Sequence, residues 1–183
     1  MATISKQQLF GGAIECDLPT TYEDVSLLRE IPDNEEVFHE PSTDACLVVD
    51  ILQFSADVPD DAIAAFQFDD IAAANEVKSF QIEDRGLADS KGGQRFLWCG
   101  GVQTGIVKFR ERETRGNDVY VWVGVCRLKE YDTDVVVSVS APIRISEASS
   151  SHKLGSVPDV ARGKAVFESV LSSFKIKDFG LFA

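Results

Sequence analysis

The sequence predicts an α/β fold of the α+β kind, an antiparallel β-sheet sandwiched between α-helices. Three observations lead there. Long strand-like apolar runs recur in the second half, joined by connections short enough for hairpins. Helices longer than a single turn are expected at two places, one in the first half of the chain and one near the C-terminal end. The 183 residues suit a single domain, 1–183, with no internal repeat or linker and enough length for a sizeable core.

"LFGGAIECDLP" reads as a first strand, Leu9–Leu18, weakened at Gly11 and Gly12 and ended by Pro19. In "TTYEDVSLLREIP", Thr21 is placed to cap a single helical turn through Asp24 and Val25. Pro32-Asp33-Asn34 is a turn, and "EEVFHE" is a short strand leading to Pro41. Ala45–Phe54 is the clearest buried strand, a near-continuous apolar run broken by Asp50 and suited to cover on both faces. "PDDAIAAFQFDDIAAANEV" is alanine-rich and starts on acids, as helices do; Ile63, Phe66 and Ile71 share a face across two short helices. "KSFQIED" is a strand and "SKGGQ" a loop.

Arg95–Phe109 and Val119–Glu130 are long strands joined by the charged hairpin connection "RERETRGND". In the second, Val119, Val121, Val123 and Val125 alternate with Tyr120, Trp122, Gly124 and Cys126. Both sets are apolar, so both faces need cover. "TDVVVSVSAPI" is a further strand, ended by Pro142, and "SEASSSHKLGSVP" is a mobile polar loop. Asp159 caps a last amphipathic helix carrying Val160, Phe167, Val170, Leu171 and Phe174, with Lys164 as the one break. The tail "KIKDFGLFA" is apolar enough to return to the body.

Composition excludes several functions. A net charge of -12 argues against nucleic acid as a partner, because neutralising phosphates needs a basic face. It equally disfavours a polybasic membrane patch, and no apolar run is long enough for membrane insertion. Cys16, Cys46, Cys99 and Cys126 form no C-x-x-C pair, and His39 and His152 are the only histidines, so zinc spacing is missing. The thiols read as small hydrophobes in a reducing compartment, cytosol or nucleus. No hydrolase, zincin, dinucleotide or phosphate-loop motif occurs, so the reading is of a non-enzyme with no cofactor and no metal. A carboxylate pair for hydrolysis is easily found by chance among 30 acids.

What stands out is charge segregation. Glu15 to Glu40 holds nine acids against the single base Arg29, whereas Lys91 to Glu130 holds eight bases against four acids. Such a distribution steers partners. In "PDNEEVFHEP", acids that are costly to bury surround Val37 and Phe38, which point to opposite sides of an extended chain. One then anchors the core and the other lies near a rim, where an apolar spot ringed by carboxylates suits a basic partner. The plainer alternative is a solvated acidic edge that guards a strand from aggregation.

Four blocks add a resemblance: "LFGGAI", "DVSLLREIPDNEEVF" at 24–38, "YDTDVVVSVSAPI" at 131–143 and the closing "LFA". Together they resemble the Ran guanine nucleotide release factor family, the Mog nuclear import factors. The resemblance implies a PsbP-like α/β/α sandwich. It implies binding to the small GTPase Ran, stimulation of nucleotide release and a place in nuclear import, in nucleus and cytoplasm. Carried over within the longest block, it implies Asp24, Asp33 and Glu36 as partner-binding residues, with Arg29 and Asn34 beside them. Glu35 falls where the family also carries uncharged residues. With no apolar stripe left over, a monomer is expected. The alternative is a PsbP-like structural or interaction subunit without nucleotide-release activity. The lack of an Arg- and Ser-rich transit segment counts against it.

Overall fold

The computed structural model describes residues 3–106 and 116–183. The first strand departs from expectation. Leu9–Leu18 is not one strand: Ile4–Leu9 (β1) and Ile14–Pro19 (β2) form an antiparallel hairpin. Phe10, Gly11 and Gly12 all take positive φ, so the chain reverses where the glycines suggested only weakness. The hairpin also stands apart from the main sheet. It forms a small three-stranded sheet with Lys175–Ile176 (β10), which pairs with β2 and ties the C-terminal tail back to the body.

Among the described residues the main sheet has seven strands: Glu23–Asp24 (β3), Glu35–Glu40 (β4), Ala45–Gln53 (β5), Ser79–Asp89 (β6), Arg95–Ile106 (β7), Asn117–Leu128 (β8) and Thr133–Arg144 (β9). Their order is β3-β4-β5-β9-β8-β7-β6, and every neighbouring pair is antiparallel. Consecutive apolar strands with short reversals favour this arrangement.

Helix Ile63–Ala74 (α1) covers one face, over β7 and β8. Helix Val160–Ser173 (α3) and β2 cover the other. The two sets along β8 separate as predicted. Val121, Val123 and Val125 join Ile63 and Phe68 of α1, while Trp122 and Cys126 join Phe167 and Leu171 of α3. The Asp159 carboxylate accepts the Arg162 backbone N–H at 3.0 Å, capping α3 as expected.

Several expectations are corrected. α1 is one helix, and Phe66 is exposed; Ala64, Phe68 and Ala72, at four-residue steps, point inward instead. β5 is fully buried only through Ala45, Leu47 and Val49; α1 lies mainly over β7 and β8, and on the other face of β5 Leu52 packs against the cluster of Ile63 and Phe68 while Cys46, Val48 and Asp50 remain partly accessible. Pro142 does not end β9. It sits opposite Val119, beside a register shift, and the strand continues to Arg144, which bonds Asp118 at 2.9 Å. The serine-rich stretch holds a short helix, Ser150–Lys153 (α2), with Ser149 and Ser151 buried. Ser151 Oγ donates to Asp44 Oδ2 at 2.6 Å, which fixes the stretch to the β4–β5 turn. Of the expected hairpin connection "RERETRGND" at 110–118, residues 110–115 lie outside the described residues, as do the last three residues of the strand expected before it. All four cysteines are free thiols. Burial pushes Cys16, Cys99 and Cys126 up to about 12, which leaves them protonated and unreactive at neutral pH.

Candidate partner-binding edge

Among the described residues, the free edge of the main sheet on the acidic side is β3, two residues long and paired only to β4. From there the chain leaves the sheet and returns at Glu35, so residues 25–34 form a looped rim. Asp24 opens it. Its Oδ1 accepts the Ser26 backbone N–H at 2.8 Å and caps a 3-10 turn, Val25–Leu27. Asp24 thus takes the capping role expected of Thr21, whose hydroxyl instead accepts a hydrogen bond from the Arg162 guanidinium at 2.8 Å. Arg29 is exposed, with its backbone N–H on the Val25 carbonyl at 3.1 Å.

Pro32-Asp33-Asn34 is the expected turn: Glu35 N–H donates to the Pro32 carbonyl at 3.0 Å. Asn34 ties the turn to β5. Its carbonyl accepts Ile51 N–H at 2.8 Å, and its Nδ2 donates to the Ile51 carbonyl at 3.3 Å. Asp33 is exposed at the tip and makes no hydrogen bond or ion pair within the described residues.

The neighbouring acids are engaged in the fold. Glu36 is half-buried on the face toward the β1–β2 hairpin, and its Oε1 accepts the Phe10 backbone N–H at 2.5 Å. Phe10 is the first positive-φ residue of that reversal, so Glu36 braces the turn. Burial pushes the Glu36 carboxyl above its usual value; the Phe10 N–H opposes this and the charge of Asp24 adds to it. Glu40 is buried. Burial acts to raise its pKa, but hydrogen bonds from Thr43 and Ser42 outweigh that and hold it below the usual range. Asp50 pairs with Glu35 across β4 and β5. Burial first, then the charge and hydrogen bond of Glu35, push Asp50 up to about 7.

The five carried-over residues therefore lie in one stretch along one edge. Asp33 and Arg29 are free at its surface; Asp24, Asn34 and Glu36 shape it. The expected apolar rim is corrected. Val37 and Phe38 are 6% and 2% exposed, so neither reaches a rim. The exposed apolar residues of this edge are Leu27 and Leu28, at 82% and 78%. Sequence reading passed over them. The available signal was an apolar pair in a segment too short and too acidic to offer it a buried face.

Two arrangements bear on catalysis. His39 Nε2 lies 2.9 Å from Asp44 Oδ1, and Ser151 donates to the same carboxylate. The carboxylate sits between hydroxyl and imidazole, so His39 is not placed to take the serine proton, as nucleophilic catalysis requires. Among the described residues, no group of three or more His, Cys, Asp or Glu side chains is placed to hold a metal ion.

The family model described as "Ran-interacting Mog1 protein" matches residues 7–142, a span that includes the whole acidic edge. The Ran guanine nucleotide release factor of Danio rerio is 30% identical, over 95% of this chain and 97% of its own. The nuclear import protein mog1 of Schizosaccharomyces pombe is 35% identical, over 74% of this chain and 76% of its own. The crystal structure of the Saccharomyces cerevisiae Ran-binding protein Mog1p has the same fold, with a TM-score of 0.72 and 22% identity over 100% of each chain. The chain belongs to the Ran-interacting Mog1 family.

Proposed function

We propose that this protein binds the small GTPase Ran and promotes release of its guanine nucleotide, in support of nuclear protein import. The observation that carries the reading is the exposed acid-rich rim at the free sheet edge, in a chain whose relatives are named release factors and import proteins. Asp24, Arg29, Asp33, Asn34 and Glu36 are the proposed contact set. Asp33 meets the partner directly; Asp24, Asn34 and Glu36 hold the rim in shape, and the two carboxylates among them add charge. The protein works as one domain and as a monomer, in nucleus and cytoplasm, without nucleic acid and without bond-making chemistry of its own. No helix among the described residues is long and apolar enough to cross a membrane.

The mechanism follows from affinity. A GTPase that holds nucleotide at about 1 nM does so with about -12 kcal/mol. A small protein does not displace that ligand by trapping the empty GTPase at ordinary concentrations. It binds the loaded GTPase and loosens the grip in a ternary complex. Nucleotide is held by lysine, backbone amides and Mg²⁺. Carboxylates on the rim draw a basic group or the metal away from the phosphates, acting as charges and not as acid-base catalysts.

The test is the release rate of labelled nucleotide from Ran against the concentration of this protein. The rate is expected to rise and saturate. A rate that never exceeds the spontaneous one leaves only a trap for empty Ran, and the release reading fails.

A further inference from the structure

We propose that Leu27 and Leu28 are the apolar anchor of the partner interface, entering a shallow apolar depression on the GTPase that is rimmed by lysine or arginine; this rests on the reading of the edge as the GTPase-binding face. The two side chains are adjacent and 82% and 78% exposed. A single exposed leucine needs no explanation, but an adjacent pair on a rim is a different case.

The pair is also held in place. Leu28 N–H and Arg29 N–H both donate to the Val25 carbonyl, at 2.9 and 3.1 Å, and Asp24 caps the same turn at 2.8 Å. Much of the ordering cost of binding is therefore met in the free protein.

Charge selects the occupant. Between Glu23 and Glu36 six carboxylates stand against Arg29 alone. A second copy of this chain would bring the same acids face to face, and like charges oppose that contact. A partner with an apolar centre and a basic rim complements both parts of the surface. An apolar core inside a polar rim is how specific interfaces are commonly built.

The two kinds of residue divide the kinetics. Exposed rim charges act on the association rate and give it salt dependence. Desolvated apolar anchors act on the dissociation rate. The experiment measures association and dissociation of purified Ran with the wild type, with Leu27→Ala/Leu28→Ala and with Asp33→Asn, at several salt concentrations. The double leucine variant is expected to dissociate about ten-fold faster, equivalent to about 1.4 kcal/mol, with its association rate and salt slope unchanged. Asp33→Asn is expected to show the reverse pattern. Thermal melts of the free proteins check folding. If the double variant is unfolded, Leu28→Ala alone is read, with about a three-fold effect expected. Wild-type binding with dissociation of the leucine variants within two-fold of wild type overturns the leucine anchor and leaves the acidic edge standing. A wild-type dimer in sedimentation that the double variant abolishes also overturns it, in favour of a second copy as occupant. No wild-type binding at all overturns the reading of the edge itself.

Discussion

Glu36 and Asp33 are three residues apart and both belong to the acidic rim, yet they stand in different surroundings. Glu36→Ala removes the acceptor of the Phe10 N–H at a positive-φ residue. Leaving a half-buried donor unmet costs about 1–3 kcal/mol. Asp33→Ala touches nothing in the fold and is expected to shift stability by under about 0.5 kcal/mol. Urea unfolding of the two variants checks this, and equal midpoints refute the bracing role of Glu36. Glu36→Gln keeps the acceptor while removing the charge, so it isolates the electrostatic part in a binding assay. The carboxylates were legible in the sequence, but their division of labour was not. The partner of Glu36 lies 26 residues away, in a hairpin that was itself read as a single strand. Asp50 offers a second test at this scale. Its carboxyl is pushed up to about 7, from an ordinary value of 3.8, by burial and by Glu35. The folded state therefore binds a proton that the unfolded state has already released. The contribution is full below about pH 4 and is lost as pH rises through about 7. Asp50→Asn is neutral throughout, so its melting temperature relative to wild type is expected to rise from pH 5 to pH 8. A constant difference across that range refutes the shift.

At the scale of elements, α3 meets the sheet through Gly163. A Cβ added there would lie 2.6 Å from the Ala141 methyl and 3.2 Å from the Trp122 ring. Glycine inside a helix is about 1 kcal/mol worse than alanine, so propensity alone favours Gly163→Ala. Overpacking a dense core costs about 1–3 kcal/mol, and Ala141 and Trp122 are both buried. The clash outweighs the propensity, and Gly163→Ala is expected to lower stability by about 1 kcal/mol in chemical denaturation; a more stable variant refutes close packing here. The same local pattern that made α3 readable left other elements obscure. Its apolar residues repeat at helical spacing, and its cap is one residue from its first turn. β8 was legible for a similar reason, since both of its alternating sets are apolar. The small sheet was not, because β10 has two residues and its partner β2 lies at the other end of the chain. The end of β9 is hidden in the sequence because Pro142 reads as a stop, and the register shift that accommodates it inside the ladder leaves no local pattern.

At the scale of the molecule, the charge distribution determines how a partner arrives. Net charge is -12, and the acidic stretch lies at the opposite side of the sheet from β7 and β6. The exposed carboxylates of the rim present a local negative field to any approaching basic face. Their effect extends over the Debye length, about 30 Å at 10 mM salt and about 8 Å at 150 mM. Association with Ran is therefore expected to slow by about ten-fold or more over that range, while dissociation changes little. Nucleotide acts on the same complex in a second, separable way. Coupling between two ligands is reciprocal, so if this protein loosens nucleotide, nucleotide loosens this protein by the same factor. Excess free GDP or GTP is expected to speed dissociation of the complex at every salt concentration, whereas salt alone acts on formation. Stopped-flow mixing at fixed nucleotide and varied salt, then at fixed salt and varied nucleotide, separates the two. An association rate indifferent to salt removes the steering role of the rim. A complex that excess nucleotide does not weaken removes the ternary mechanism, because a factor that loosens nucleotide without being loosened in return would break the thermodynamic cycle.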